Sequence, residues 1–134
     1  MKVSPKTGSM REHEFFVSQE HCIDFEGISL LSTPHLLWEM EHCALDLLQE
    51  SLDQEELSLG VQLDIEHRSI AVELDHVIIT AKVVHREGPL LTFHINAESN
   101  GKCIAQGIHK RRVVNKANLL ARLESRRISS MNNQ

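Results

Sequence analysis

Glu41, His67 and Arg111 each break the pattern of the segment that carries them, and their side chains are of the kind that move protons and hold anions. Projected at about 100° per residue, the segment after Pro34 gathers Leu36, Leu37, Met40, Ala44, Leu45, Leu47, Leu48 and Leu52 on one face. Glu39, His42, Asp46, Gln49 and Glu50 lie opposite, but Glu41 falls inside the apolar arc. A carboxylate so placed is perturbed by desolvation or met by a dedicated partner. It suits a general base. It equally suits a structural ion pair, or an edge position from which the carboxylate reaches water.

His67 continues the parity of Leu59, Val61, Leu63 and Ile65, so it is expected to face the helix. A lone inward histidine is commonly a satisfied core residue. Two inward titratable groups on facing elements point instead to a site. In the run Gly107-Ile108-His109-Lys110-Arg111, residues Gly107, His109, Arg111 and Val113 share a parity with Cys103 and Ala105. A glycine inside a strand implies close approach by a backbone or a ligand. Arg111, at the rim of a buried face, suits a phosphate or a carboxylate. Lys110 and Arg112 take the other parity and read as charges on an edge strand. Thr33 is accounted for as a helix N-cap, yet the free N–H groups of a helix start also favour an oxyanion beside it. Nine histidines invite a metal, but the nearest pairs, His13 with His21 and His35 with His42, lack ligand spacing, so neither a metal site nor another cofactor is expected.

The elements that must position these groups follow from periodicity. Glu14–Ser18 reads as a short strand. Ser32-Thr33-Pro34 supplies an N-cap hydroxyl followed by proline at the first helical position, opening a helix from Pro34 to about Leu52. Strands follow over Leu59–Ile65, Val77–Val84 and Leu91–Ala97, with a turn at Gly88-Pro89. Asn100-Gly101 marks a tight hairpin into a last strand from Lys102 to Val114. A short helix over Lys116–Ser125 closes the order: strand, long helix, four antiparallel strands.

The 134 residues imply one domain, with a core over about 12–123 and flexible ends at 1–11 and 126–134. Only Trp38 and four Phe are aromatic, so Leu, Ile, Val and Ala must fill the core. Three cysteines without Cys-x-x-Cys spacing argue against a disulfide scaffold and a zinc ribbon and fit a reducing cytoplasm. No apolar run approaches the ~20 residues of a membrane span, so no membrane is expected. The net charge of −5 argues against nucleic acid as a partner. It is unevenly shared: Ile108–Gln134 holds seven Lys or Arg against one acid, +6, and the rest seven against eighteen, −11. A basic end on an acidic body suggests an anionic ligand.

The element order resembles the hotdog fold, an α+β architecture in which an antiparallel sheet wraps a long central helix. Three patterns resemble the fluoroacetyl-CoA thioesterase family within it: Thr33-Pro34 with Glu41 eight residues after the threonine, Gly60 with His67 seven residues later, and Gly107-x-His109-x-Arg111. The likeness runs from about Glu12 to Leu123. It implies hydrolysis of an acyl-CoA thioester, with Thr33, Glu41 and His67 as catalytic residues and Gly60 and Arg111 as substrate-binding ones. It also implies a homodimer or larger homo-oligomer, one subunit giving Thr33 and Glu41 and the other His67. Two departures stand out. Members often carry a Pro-Gly turn after the histidine, where this chain reads Arg68-Ser69-Ile70-Ala71-Val72-Glu73-Leu74. A lid aromatic is replaced by Gly27, so fluoroacetyl-CoA is not the expected substrate. A hotdog domain that binds acyl-CoA without turnover, or a hydratase or dehydratase on the same fold, are the competing functions.

Overall fold

The structure is a computed structural model that describes residues 1 and 5–132. Among the described residues the fold has seven strands, two α-helices and one short 3-10 turn at Gln19–His21: β1 (Met10–Phe16), β2 (Cys22–Phe25), β3 (Ile28–Leu31), α1 (Thr33–Gln49), β4 (Glu56–His67), β5 (His76–Glu87), β6 (Leu90–Ser99), β7 (Lys102–Asn115) and α2 (Lys116–Asn132). Five strands form one antiparallel sheet in the order β1-β5-β6-β7-β4, while β2 and β3 form a separate hairpin.

Alternation fixes the inner face of the sheet where the strands are central. Val77, Ile79, Ala81 and Val83 of β5 and Leu91, Phe93, Ile95 and Ala97 of β6 are all fully buried, as their period of two requires. They receive α1, whose buried side is Leu36, Met40, Cys43, Ala44, Leu47 and Leu48. That stripe is centred nearer Cys43 than the sequence suggests. Leu37, Glu41 and Leu45 consequently lie half-buried along one flank of the helix.

The edge strand β4 departs from simple alternation. A bulge between Gly60 and Gln62 inserts one residue against β7, which reverses the parity of everything before it. Gly60 pairs with Arg111, Leu63 with His109, Ile65 with Gly107 and His67 with Ala105, and directly opposed residues share a face. Leu63, Ile65 and His67 therefore point inward with Ser58 and Gly60, whereas Leu59 is opposite Arg112 on the outer face. A second irregularity, at Ala97/Glu98, aligns Cys103 with Glu98, and Cys103 bonds to Asn96 rather than joining the inner row. Gly107 permits the close approach expected of it, and the approaching group is backbone: a Cβ there would lie 1.9 Å from the Asp64 carbonyl oxygen.

The first strand and the last helix are both longer than the sequence suggests. Strand β1 begins at Met10, earlier than Glu14, and the amino group of Met1 lies 2.7 Å from Glu56. Helix α2 runs on to Asn132 instead of stopping near Ser125; residues 2–4 and 133–134 lie outside the described part. The β2–β3 hairpin has no strong sequence signal, because Glu26-Gly27 carries the turn with both residues at positive φ, 52° and 84°, a conformation signalled more strongly by Asn-Gly. In place of a Pro-Gly turn after the histidine, the segment bends at Leu74 with φ 75°. The Val72 N–H donates to Asp75 Oδ2 and the Asp75 N–H to the Val72 carbonyl, which brace that bend.

Two substitutions test this account by thermal unfolding. Gly107→Ala drives a methyl group into β4 backbone and lowers Tm by roughly 5–10 °C. Leu74→Gly relieves a left-handed residue that is 76% exposed and raises Tm by about 2–4 °C.

Candidate active site

Ser32 caps α1, its Oγ accepting from the His35 N–H at 3.3 Å. The cap is therefore not Thr33, which is the first helical residue with its hydroxyl free of the backbone. That hydroxyl lies 2.7 Å from Nδ1 of His67, at the end of β4. Beyond His67, the Arg68 and Ser69 N–H groups both donate to the Ile104 carbonyl and pin the strand end. His67 Nε2 is shielded from solvent and has no hydrogen-bonding partner among the described residues. A buried nitrogen left in that state costs about 1–3 kcal/mol. Thr33 and His67 share a pocket of about 340 Å³ with Ile23, Leu30, Leu31, Ser32, Pro34 and Ile70.

Glu41 belongs to a second cluster, two helical turns along. Eight residues at 1.5 Å each place it ~12 Å from Thr33 along the axis. Its Oε2 lies 3.5 Å from Nη1 of Arg111. Arg111 is buried, and its Nε and Nη2 donate to the hydroxyl and carbonyl oxygens of Ser58, at 2.9 and 3.1 Å. His109, also buried, has Nδ1 2.8 Å from the Gln62 carbonyl and Nε2 3.2 Å from Arg111 Nη1. Burial pushes the His109 imidazole below its ordinary range, helped by the Arg111 charge; the bond to Gln62 and the Glu41 carboxylate oppose this. Burial likewise lowers Arg111, with Glu41 opposing.

Gly60 completes this cluster by its lack of a side chain. A Cβ there would sit 2.8 Å from Glu41 Oε2 and 3.4 Å from both Arg111 Nη1 and His109 Cε1. The chain thus brings Thr33 to His67, and Gly60 and Arg111 to Glu41. Among the described residues no hydrogen bond joins Glu41 to either member of the first pair. The expected division, Thr33 from one subunit and His67 from the other, does not describe this chain: the two bond to each other within it. Sequence reasoning missed Ser58, whose inward direction depends on the bulge. It placed His109 on the inner face but gave it no role, although Gly-x-His-x-Arg parity carried the signal.

A larger pocket, about 660 Å³, also lies at the helix start; it shares Ser32 and Pro34 with the first but holds none of Thr33, Glu41, His67, His109 or Arg111. His21 and His35 stack there at 3.5 Å, with Trp38 beyond. Burial and neighbouring His21 lower the His35 pKa, against the pull of Glu39. Among the described residues there is no cluster of three or more His, Cys, Asp or Glu able to hold a metal, and no helix long and apolar enough to cross a membrane.

The five-stranded antiparallel sheet with α1 against it defines a hotdog-fold protein, and solved structures bear this out. The fluoroacetyl-CoA thioesterase FlK superposes with a TM-score of 0.82 at 20% identity, over 92% of this chain and 98% of that one. A thioesterase superfamily member from Thermus thermophilus reaches 0.86 at 21% identity over the full length of both. A hot-dog-like protein from Thermanaerovibrio acidaminovorans gives 0.82 at 25% identity, over 90% and 91%. No curated protein matches the sequence. The family model described as "FlK: Fluoroacetyl-CoA-specific thioesterase" matches residues 16–117. The chain belongs to that family, and its activity class is the hydrolysis of acyl-CoA thioesters.

The lowered pKa values of His109 and His35 give a signed expectation. Between the ordinary imidazole value near 6.5 and their lower folded values, the unfolded chain binds more protons than the folded one. Their contribution to stability is complete above pH ~6.5 and is lost as pH falls through the folded values. Tm therefore declines from pH 7.5 to pH 5, and His109→Gln, which cannot titrate, makes the decline shallower.

Proposed function

We propose that Thr33, His67 and Glu41 carry out thioester hydrolysis on an apolar acyl group seated among Ile23, Leu30, Leu31 and Ile70. The observation that carries this reading is the Thr33–His67 hydrogen bond beside that pocket, with a buried, unpartnered nitrogen left on the imidazole. A thioester carbonyl needs an activated nucleophile and a stabilised oxyanion. Thr33 stands at the start of α1, where uncapped N–H groups favour negative charge. His67 has the free valence to pass a proton to the departing CoA thiolate, and Glu41 attacks or activates water.

The ~12 Å between Thr33 and Glu41 exceeds the reach of one hydrogen-bonded set within a chain. The reading therefore takes the working unit as a homodimer in which the Thr33–His67 pair of one copy meets Glu41 of the other. Exposed apolar residues on the edge strand and hairpin support a covering copy: Leu63 on the inner face of β4, and Ile23, Phe25 and Ile28 on β2 and β3. Three free thiols, Cys22, Cys43 and Cys103, are in keeping with a reducing cytoplasm.

The substrate is a CoA thioester with an acyl chain larger than fluoroacetyl. Gly27 sits at the hairpin tip with nothing within 4 Å of a built Cβ, so no aromatic lid narrows the pocket from that position. Butyryl- or hexanoyl-CoA is expected to release thiol faster than acetyl- or fluoroacetyl-CoA, and Ile70→Trp to reverse that order.

Glu41→Ala and His67→Ala each lower hydrolysis by ~10²-fold or more. Mixed and allowed to exchange subunits, the two dead variants recover up to about a quarter of wild-type activity, because each mixed dimer of a symmetric pair holds one intact composite site. No recovery, with exchange shown by mass, places all three residues in one subunit's site. Full activity of Glu41→Ala across an acyl-CoA panel removes Glu41 from the chemistry.

A further inference from the structure

Arg111 and Glu41 face each other in the second cluster, and the nitrogen of Arg111 that faces Glu41, Nη1, also meets His109. The Gln62 carbonyl can only accept a hydrogen bond, so the His109 nitrogen 2.8 Å away, Nδ1, must carry the proton. A neutral imidazole has one proton, which leaves Nε2 as an acceptor. Arg111 has donors only, and its Nη1 lies 3.2 Å from that Nε2. The polarity of the chain of bonds is thus determined by its two ends. It runs from the Gln62 carbonyl through His109 to the Arg111 guanidinium, and from there to Glu41 Oε2. The β4 bulge between Gly60 and Gln62 sits at the head of this chain. Ser58 holds the other side of the guanidinium through two bonds, so Arg111 has little freedom to leave Glu41.

We propose that His109 is a positioning residue: as its Nδ1–H tautomer it accepts from Arg111 at Nε2 and so holds the guanidinium that orients the Glu41 carboxylate. This role rests on Glu41 acting in hydrolysis, as proposed above. It gives Arg111 a task other than contact with substrate phosphates, since its three nitrogens all have partners inside the protein. It also explains why the neighbouring position is Gly60, where a Cβ would displace Glu41 Oε2.

The tautomer is read first, by nitrogen-15 NMR of the imidazoles in the whole chain at pH 7. The expected result is a single neutral form of His109 with the proton on Nδ1, and an Nε2 resonance that moves in Arg111→Lys. A proton on Nε2 overturns the proposal whatever the enzyme's activity, because two donors cannot bond. Two replacements then separate the ends of the ring. Asparagine places an amide near Nδ1 and keeps the bond to Gln62, whereas glutamine places an oxygen near Nε2 and keeps the acceptor for Arg111. On the best acyl-CoA of the panel, His109→Asn is expected to lower kcat ~10-fold or more with KM little changed, and His109→Gln to stay within about three-fold of wild type. Equal losses in both variants, at equal Tm, overturn the proposal, as does a wild-type kcat in His109→Asn while Glu41→Ala is inactive. If Glu41→Ala is as active as wild type, it is the assignment of Glu41 that fails, and the NMR result still decides whether His109 holds Arg111.

Discussion

A guanidinium that cannot be left alone organises one half of this molecule. Arg111 points into the space between α1 and the sheet and is 5% exposed. A buried charge that loses a partner costs about 3–5 kcal/mol, so the surroundings of Arg111 must satisfy it from several directions at once. They do so with a serine turned inward from β4, a histidine of fixed tautomer from β7 and a carboxylate from the helix. The inward serine exists because β4 is bulged. The carboxylate fits because position 60 has no side chain. Residues dispersed over more than fifty positions of the chain are thereby tied to one cation.

The first half of the site is built on the opposite logic. Thr33 and His67 make one bond to each other, and the second imidazole nitrogen is left open. This depends on a division of labour at the helix start, where three successive residues have separate tasks. Ser32 supplies the cap and Pro34 tolerates the missing donor, so the intervening threonine keeps its hydroxyl for the histidine. Had Thr33 served as cap, its hydroxyl would be shared between a backbone N–H and His67.

Central strands were legible in the sequence and the edge was not, for a physical reason. Over His76–Val83 of β5 and Leu90–Ser99 of β6 both neighbours constrain the pleat, and burial follows alternation residue by residue, although β5 shifts register beyond Val83. In β4 one side has no hydrogen-bonding neighbour, so a bulge is tolerated, and the parity of Leu59 and Val61 gave no warning of it. His67 was still placed on the correct face, since it lies beyond the bulge with Leu63 and Ile65. The charge split was legible too, but its use was not: Arg111 is drawn into the protein, while Arg112 and the arginines of α2 remain exposed. The pairing of Thr33 with His67 needed the tertiary structure, because 34 residues and a whole helix separate them in the chain.

The two halves differ in a way that matches what each would have to do in hydrolysis. A carboxylate that attacks or activates water gains from being held in one orientation, because misplacement by about 1 Å costs ~10²-fold in rate. Glu41 has that restraint, from Arg111 behind it and from the confined space over Gly60. A group that hands a proton to a leaving thiolate must instead keep a site vacant, and a histidine satisfied on both nitrogens could not serve. His67 keeps such a site and His109 does not, its two nitrogens being committed to Gln62 and Arg111. His67 and His109 thus share one sheet face with opposite hydrogen-bond status. That difference, more than burial or parity, separates a histidine able to transfer a proton from one able only to hold its neighbours in place.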